Sequence, residues 1–203
     1  MNMKNVLIKC ALLTVFIIPA SVSVANAQSA EVSFFNRLSI GFEYGTWEPI
    51  KLRNSDDPLK LSIKGENAYA GISVIAPLHG QLHLRLSLTR FQHSEEPQAN
   101  KTLTLYPALF DLKYSLVSES KLSPYVSYGV MVSFGRDNEA SEVSIDRELG
   151  YGLNLGTGFD LLLLEHLALG VEFRYHYLKY NNTYVFTDDY SGPKINLGLL
   201  FLL

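Results

Sequence analysis

The clearest alternating pattern in the chain is at residues 82–89, which read Leu-His-Leu-Arg-Leu-Ser-Leu-Thr. Four leucines alternate with four polar residues, so the hydrophobic period is two. Successive side chains of a β-strand point to opposite faces of the sheet, whereas a helix repeats its apolar face about every 3.6 residues. The stretch therefore predicts a strand with one apolar face and one polar face.

The same alternation recurs in seven further runs along the chain, at residues 38–45, 61–76, 106–114, 126–134, 149–159, 167–177 and 194–203. Long polar connections alternate strictly with short ones. The long connections are residues 48–60, 94–101, 136–148 and 181–191, and the short ones are 77–81, 117–121 and 162–166. An even number of strands with loops at one end and turns at the other is typical of an up-and-down barrel. The sequence predicts one all-β domain, an eight-stranded antiparallel up-and-down transmembrane β-barrel.

The N-terminus has the three parts of an export signal. Lys4 and Lys9 precede an apolar core at residues 11–18, and Ala25-Asn26-Ala27 matches a small-x-small cleavage site. We expect residues 1–27 to be a signal peptide and residues 28–203 to be the outer-membrane barrel domain. The single cysteine, Cys10, lies within the signal, so the predicted mature chain has no disulfide.

Composition excludes two classes of protein. The formal net charge is −3, which argues against electrostatic binding of nucleic acid. No run of about 20 apolar residues follows the signal, which argues against membrane-spanning helices.

Alternation alone leaves open which face lies inside the barrel. A lipocalin would point its apolar face inward, and Gly45-Thr46-Trp47 matches that family's short Gly-x-Trp element. However, the apolar faces carry more large side chains than the narrow interior of an eight-stranded barrel can hold. The opposite faces are rich in small residues and in charges of both signs. We therefore expect lipid outside, a compact polar lumen inside, and both chain ends at the periplasmic side.

Aromatic residues on the apolar faces support this orientation. They fall near the two ends of the predicted strands, where the girdles of a transmembrane barrel lie. Near the loop end are Tyr44, Tyr106, Phe134, Tyr151, Tyr175 and Tyr177, and near the turn end are Tyr114, Phe159 and Phe201.

Three segments carry a family resemblance. Residues 122–130 (LSPYVSYGV), 150–160 (GYGLNLGTGFD) and 167–175 (LALGVEFRY) resemble strands of the OmpA-like eight-stranded outer-membrane barrels. The resemblance covers the predicted mature chain, which is similar in size to the OmpX and Ail group and corresponds to the barrel domain only. It implies a bacterial outer-membrane location and insertion by an assembly machinery that reads the C-terminal strand. Members commonly end in an aromatic residue, whereas this chain ends Phe201-Leu202-Leu203.

Charged residues on the polar faces are the candidate site. An isolated ion is very costly to bury, so charges inside a dry lumen must pair. We expect a salt-bridge network that plugs the barrel, with Glu172, Arg174 and Arg85 at its centre. The alternative is a gate, in which the pairs exchange partners and open a narrow water path. The seven candidates are Glu43, Arg85, Asp111, Lys113, Glu172, Arg174 and Lys194.

Catalytic arrangements are weak in this sequence. His83 and Ser87 share a face but lie about 13 Å apart along a strand. Adjacent residues of His93-Ser94-Glu95 would point apart, and the His-x-Ser element of lipid A deacylase barrels is absent from the predicted lipid-facing side. The five histidines have no metal-ligand spacing. We expect no enzyme activity, no metal and no cofactor.

The four long loops are acidic, with a combined formal charge of −6. Loops on a rigid scaffold commonly carry binding surfaces. Our first expectation is therefore a structural or surface-interaction protein that meets outer-membrane lipid and lipopolysaccharide and binds an extracellular partner through these loops. A narrow gated pore, porin-like, is the alternative. A lipid A-modifying enzyme comes third.

Overall fold

The computed structural model of the chain describes residues 37–52, 67–94, 102–117, 120–138, 149–184 and 187–203. The predicted signal peptide, with Ala25 and Ala27, lies outside the described residues, as do parts of the first three long loops and residues 185–186 of the fourth. No helix in the described ranges is both long and apolar enough to cross a membrane. The strands are β1 (Ser39–Trp47), β2 (Asn67–His79), β3 (Leu82–Ser94), β4 (Thr102–Ser115), β5 (Leu122–Asn138), β6 (Leu149–Leu164), β7 (Leu167–Tyr184), β8 (Thr187–Asp189) and β9 (Gly192–Leu202).

Eight long strands close into a barrel in which every neighbouring pair is antiparallel. Consecutive strands from β1 to β7 pair with each other, and β9 closes the circle between β7 and β1. The short β8 pairs only with the C-terminal part of β7. The predicted eight-stranded antiparallel barrel is confirmed. Closure gives each of the eight long strands two partners, as hydrocarbon surroundings require of a membrane-spanning sheet.

Most strands are longer than their alternating runs. β5 continues to Asn138 and β7 to Tyr184, into segments that the sequence predicts as loop. In β7 the apolar alternation stops at Lys179, an outward polar residue, but backbone pairing continues beyond that point. A 3-10 helix at Ile50–Leu52 and the short β8 also lie within predicted loops.

The apolar faces point outward, as predicted. Leu88 is 62% exposed and Leu155 is 64% exposed, whereas Ser87 and Asn154 beside them are buried. The aromatic residues predicted for the girdles share this outward orientation, and Tyr44 is 65% exposed. An outward apolar surface is the opposite of the lipocalin arrangement.

The expectation of a polar lumen is correct only for its middle. At the loop end the interior is filled by an apolar plug, because the inward positions there carry large apolar and aromatic side chains. The plug consists of Trp47, Tyr69, Phe91, Leu103, Leu105, Leu109, Met131, Leu178, Tyr180 and Tyr190, each at most 4% exposed. A smaller apolar cluster fills the turn end, formed by Ile75, Leu162, Ala168, Leu200 and Leu202. The charged residues lie between these two layers.

Candidate functional site: the charged middle of the lumen

All seven predicted lumen charges point into the barrel. Each occupies an inward position of its strand, since side chains alternate along the strand. Six are at least 93% buried in their side chains, and Glu43 is 89% buried. They come from five strands: Glu43 from β1, Arg85 from β3, Asp111 and Lys113 from β4, Glu172 and Arg174 from β7, and Lys194 from β9.

Four of these side chains form a closed ion ring: Arg85, Asp111, Glu172 and Arg174. The Arg85 guanidinium lies 3.1 Å from Asp111 Oδ2 and 2.8 Å from Glu172 Oε1. Arg174 contacts the same two oxygens, each at 2.8 Å. The three residues expected at the centre of the network do meet, and Asp111 completes the ring. Each carboxylate is therefore shared by two guanidinium groups.

Two further ion pairs flank the ring. Lys194 Nζ lies 2.8 Å from Glu43 Oε2 and sits 3.5 Å above the centroid of the Tyr69 ring. Lys113 pairs with Asp160 and sits 3.9 Å above the Tyr125 ring. Because Lys113 and Lys194 each have both a carboxylate and an aromatic face, neither ammonium group is an isolated buried charge.

Formal charge in this layer balances. Among the described residues, the ion ring and its two flanking pairs contain four carboxylates and four cations. A balanced, mutually bonded set of charges is the condition under which ions can be buried in a narrow lumen.

Several polar partners were missed by the sequence analysis. Asp160 is the carboxylate that neutralises Lys113, and Asn154 donates to Asp111 Oδ1 at 2.9 Å. Asn196 donates to Glu43 Oε2 at 2.8 Å, and Ser127 donates to Glu172 Oε1 at 3.2 Å. Each occupies the inward parity of its strand, so the alternating pattern contained the signal that would have identified all four.

A small cavity lies between the ion ring and the turn end. Its volume is about 30 Å³, and its lining includes Gly41, Ser73, Glu172, Asn196 and Leu200. Glu172 Oε2 and Asn196 Oδ1 are buried and receive no hydrogen bond from the part of the chain that the structure describes. Both are acceptors, and the cavity has room for a water molecule that would donate to them.

The histidine and serine candidates form no catalytic arrangement in the described residues. His83 and Ser87 are both buried in the lumen, but no hydrogen bond joins them. His93 Nδ1 lies 2.7 Å from Asn67 Oδ1. Glu95 lies outside the described residues. No group of three or more His, Cys, Asp or Glu side chains that could hold a metal ion occurs in the described ranges.

A strap formed by residues 187–191 covers the loop end. Tyr190 is fully buried, packs against Tyr180 with ring centroids 5.5 Å apart, and donates its backbone N–H to Leu178 at 2.9 Å. Lys51, in the 3-10 helix of the first loop, lies 3.4 Å from Asp188. Ser191 also accepts a backbone hydrogen bond from Ile50 at 2.8 Å, so the first and last loops are joined above the plug.

Comparison with solved structures identifies the fold. No protein-family model matches the sequence, and no curated protein matches it significantly. Among solved structures, Neisserial surface protein A is similar with a TM-score of 0.63 and 14% identity, over 82% of this chain and 97% of that one. OprG from Pseudomonas aeruginosa gives a TM-score of 0.55 and 16% identity, over 83% and 97%. Ail, the attachment invasion locus protein of Yersinia pestis, gives 0.50 and 12%, over 82% and 97%. The chain has the fold of the eight-stranded outer-membrane barrels.

Proposed function

We propose that the protein is a bacterial outer-membrane barrel with a closed lumen, and that it acts through its loop end as a structural or surface-interaction protein. The observation that carries this proposal is the apolar plug. Ten side chains, each at most 4% exposed, fill the loop half of the interior directly above the balanced charges. A lumen packed in this way leaves no path for a solute at neutral pH.

The outward-facing surface of the barrel supports an outer-membrane location. The exposed apolar side chains form a band that a lipid bilayer would cover, with aromatic residues towards both ends of the strands. The neighbours with the same fold include outer-membrane proteins.

The joined loops support a surface role. The strap and the 3-10 helix are joined by the backbone hydrogen bond from Ile50 to Ser191 and by the pairing of Lys51 with Asp188. They give the acidic loops a rigid base, and a rigid base lowers the entropy lost when loops bind a partner. The acidic character favours a partner with a cationic surface, or divalent ions that bridge the loops to the phosphates of lipopolysaccharide.

Single-channel recording in planar bilayers tests the closed lumen. Protein from outer membranes of cells expressing the full chain would be used, with heat-shifted gel mobility to show that it is folded. We expect no channel openings at pH 7.5. Steady conductance that changes when Glu172 or Arg174 is replaced would instead establish the gated pore.

Deletion of residues 139–148, within the most acidic loop, tests the surface role. The deletion should leave membrane insertion and heat-shifted mobility intact while weakening Mg²⁺-dependent binding to lipopolysaccharide vesicles and binding to a polylysine surface. Deletion of residues 96–99 is the matched control, since it shortens another loop by removing only one charge. Unchanged binding after the first deletion would contradict the role of the acidic loop. Lipid A mass spectra that change on expression would favour an enzyme.

A further inference from the structure

His176 lies in the lumen where the charged layer meets the apolar plug. It is on the inward face of β7 and is 1% exposed. Its ring centroid is 5.0 Å from that of Trp47, at an interplanar angle of 61°, and 6.4 Å from that of Tyr69. The imidazole is therefore in direct contact with the aromatic part of the plug.

Neither ring nitrogen of His176 has a hydrogen-bond partner among the described residues. The buried imidazole of His93 differs in this respect, because its Nδ1 lies 2.7 Å from Asn67 Oδ1. A neutral imidazole tolerates such a site, whereas an unpaired imidazolium in a dry interior is costly.

In the described lumen, each carboxylate around His176 already has a partner. Of the carboxylates, Glu172, Asp111 and Asp160 are bonded to the cations of the charged layer, Glu43 is bonded to Lys194, and Glu48 at the mouth has an interaction of its own. β6 contributes the amide of Asn154 opposite His176, and no inward side chain described on β5 is charged. The charged and titratable groups facing this region are Arg174 and Glu172 on β7, Lys194 on β9, Glu43 on β1, Tyr69 on β2, Arg85 on β3, and Asp111 and Lys113 on β4.

We propose that His176 is a proton-operated latch on the lumen. In its neutral form it packs against Trp47 and Tyr69 and completes the seal between the charges and the plug. Protonation adds a fifth cation to a layer in which four carboxylates already balance four cations. The imidazolium is repelled by Lys194 and Arg85 and leaves its contact with the aromatic rings, which opens the plug. This inference goes beyond the proposed function, since it adds an acid-opened state to a barrel that is closed at neutral pH.

Trp47 provides a direct optical test, because it is the only tryptophan in the chain. The neutral imidazole contacts the indole, and its departure on protonation changes the surroundings of the indole and therefore its emission. The full chain, purified from outer membranes in detergent, would be titrated from pH 8 to pH 4. We expect a single reversible step in Trp47 emission. His176→Phe should remove the step, and His176→Gln provides a second non-titrating variant if the phenylalanine variant fails to fold.

The matched control is His93→Gln, which removes a titratable imidazole near the same end of the lumen and should keep the step. Planar-bilayer recordings on the same proteins complete the test. Channel openings should be present at pH 4 in the wild type and His93→Gln, and lost in His176→Gln. An emission step that survives in both His176 variants overturns the latch, as does a wild-type lumen that stays silent at pH 4. Conductance of the wild type at pH 7.5 is a different result, because it would contradict the closed lumen of the proposed function.

Discussion

Arg174 on β7 and Asp111 on β4 meet across the lumen, with Nη1 of the arginine 2.8 Å from Oδ2 of the aspartate. Their strands are three apart around the barrel, so this contact is not between neighbours in the sheet. It ties separate parts of the barrel wall together through a buried, charge-assisted hydrogen bond. The ion ring is therefore a structural tie as well as a way of neutralising buried charge.

Glu172→Gln should destabilise the barrel. The substitution leaves Arg85 and Arg174 buried with one carboxylate between them, and removing one partner of a buried ion pair typically costs about 3–5 kcal/mol. We expect the midpoint of unfolding in urea, followed by heat-shifted gel mobility, to fall clearly. Glu165→Gln is the matched control, because Glu165 is exposed in the turn between β6 and β7. Equal midpoints for Glu172→Gln and the wild type would show that the ring does not stabilise the fold.

The pair formed by Lys113 and Asp160 should behave as a coupled unit. Lys113→Met alone leaves a buried carboxylate without its cation, and Asp160→Leu alone leaves a buried ammonium group beside Tyr125. The double variant removes both charges, and well-packed apolar replacements of buried pairs are often neutral. A double-mutant cycle in urea should therefore show each single variant to be less stable than the double. Simple additivity of the two losses would contradict this coupling.

Most of the wall was predictable from the sequence, because alternation in a barrel is imposed by lipid on one side and a narrow lumen on the other. The Leu82–Thr89 stretch shows this: its leucines point outward and its polar residues inward. The loop end of the lumen was not predictable in the same way. Leu103 and Leu105 occupy inward positions, and an apolar inward residue weakens the alternation that identifies a strand face.

The pairing of charges inside the lumen was the second feature that the sequence did not predict. Inward parity can be read from the sequence, but the partner of a given charge depends on how far each strand is staggered around the barrel. Asp111 and Arg174 are 63 residues apart in sequence, and no local pattern relates them. Asp160 had the correct parity, but its pairing with Lys113 across β5 depends on the register of three strands.

Gly129 should be required for the position of Asp111. The two residues are direct neighbours across β4 and β5, and a Cβ at Gly129 would lie 2.2 Å from the Phe110 carbonyl oxygen and 2.4 Å from Asp111 Oδ1. Gly129→Ala should therefore displace the aspartate from the ion ring and lower the unfolding midpoint. Gly170→Ala is the control, since its Cβ would meet only Asp160 Oδ1 at 3.0 Å and a carbonyl at 3.8 Å. If both alanine variants have the same stability, close approach at Gly129 does not position the ring.

The strap should detach in acid. Burial acts to raise the pKa of Asp189, but hydrogen bonds from Ser191 and the charges of Lys179 and Lys51 outweigh it and hold the pKa below its usual value. A depressed carboxyl pKa contributes stability that is present above the ordinary value, near pH 4, and is lost as the pH falls through the lowered value. The amide of Tyr190, which donates to Leu178, should then exchange faster below about pH 4, after correction for intrinsic rates. Asp189→Asn should exchange faster already at pH 7 and lose the acid-dependent step, while Lys121→Met in a distant turn should behave as the wild type does. An acid step that persists in Asp189→Asn would show that another group holds the strap. The two acid effects have different readouts, the Tyr190 amide for the strap and Trp47 emission for His176, so they can be measured separately on one protein.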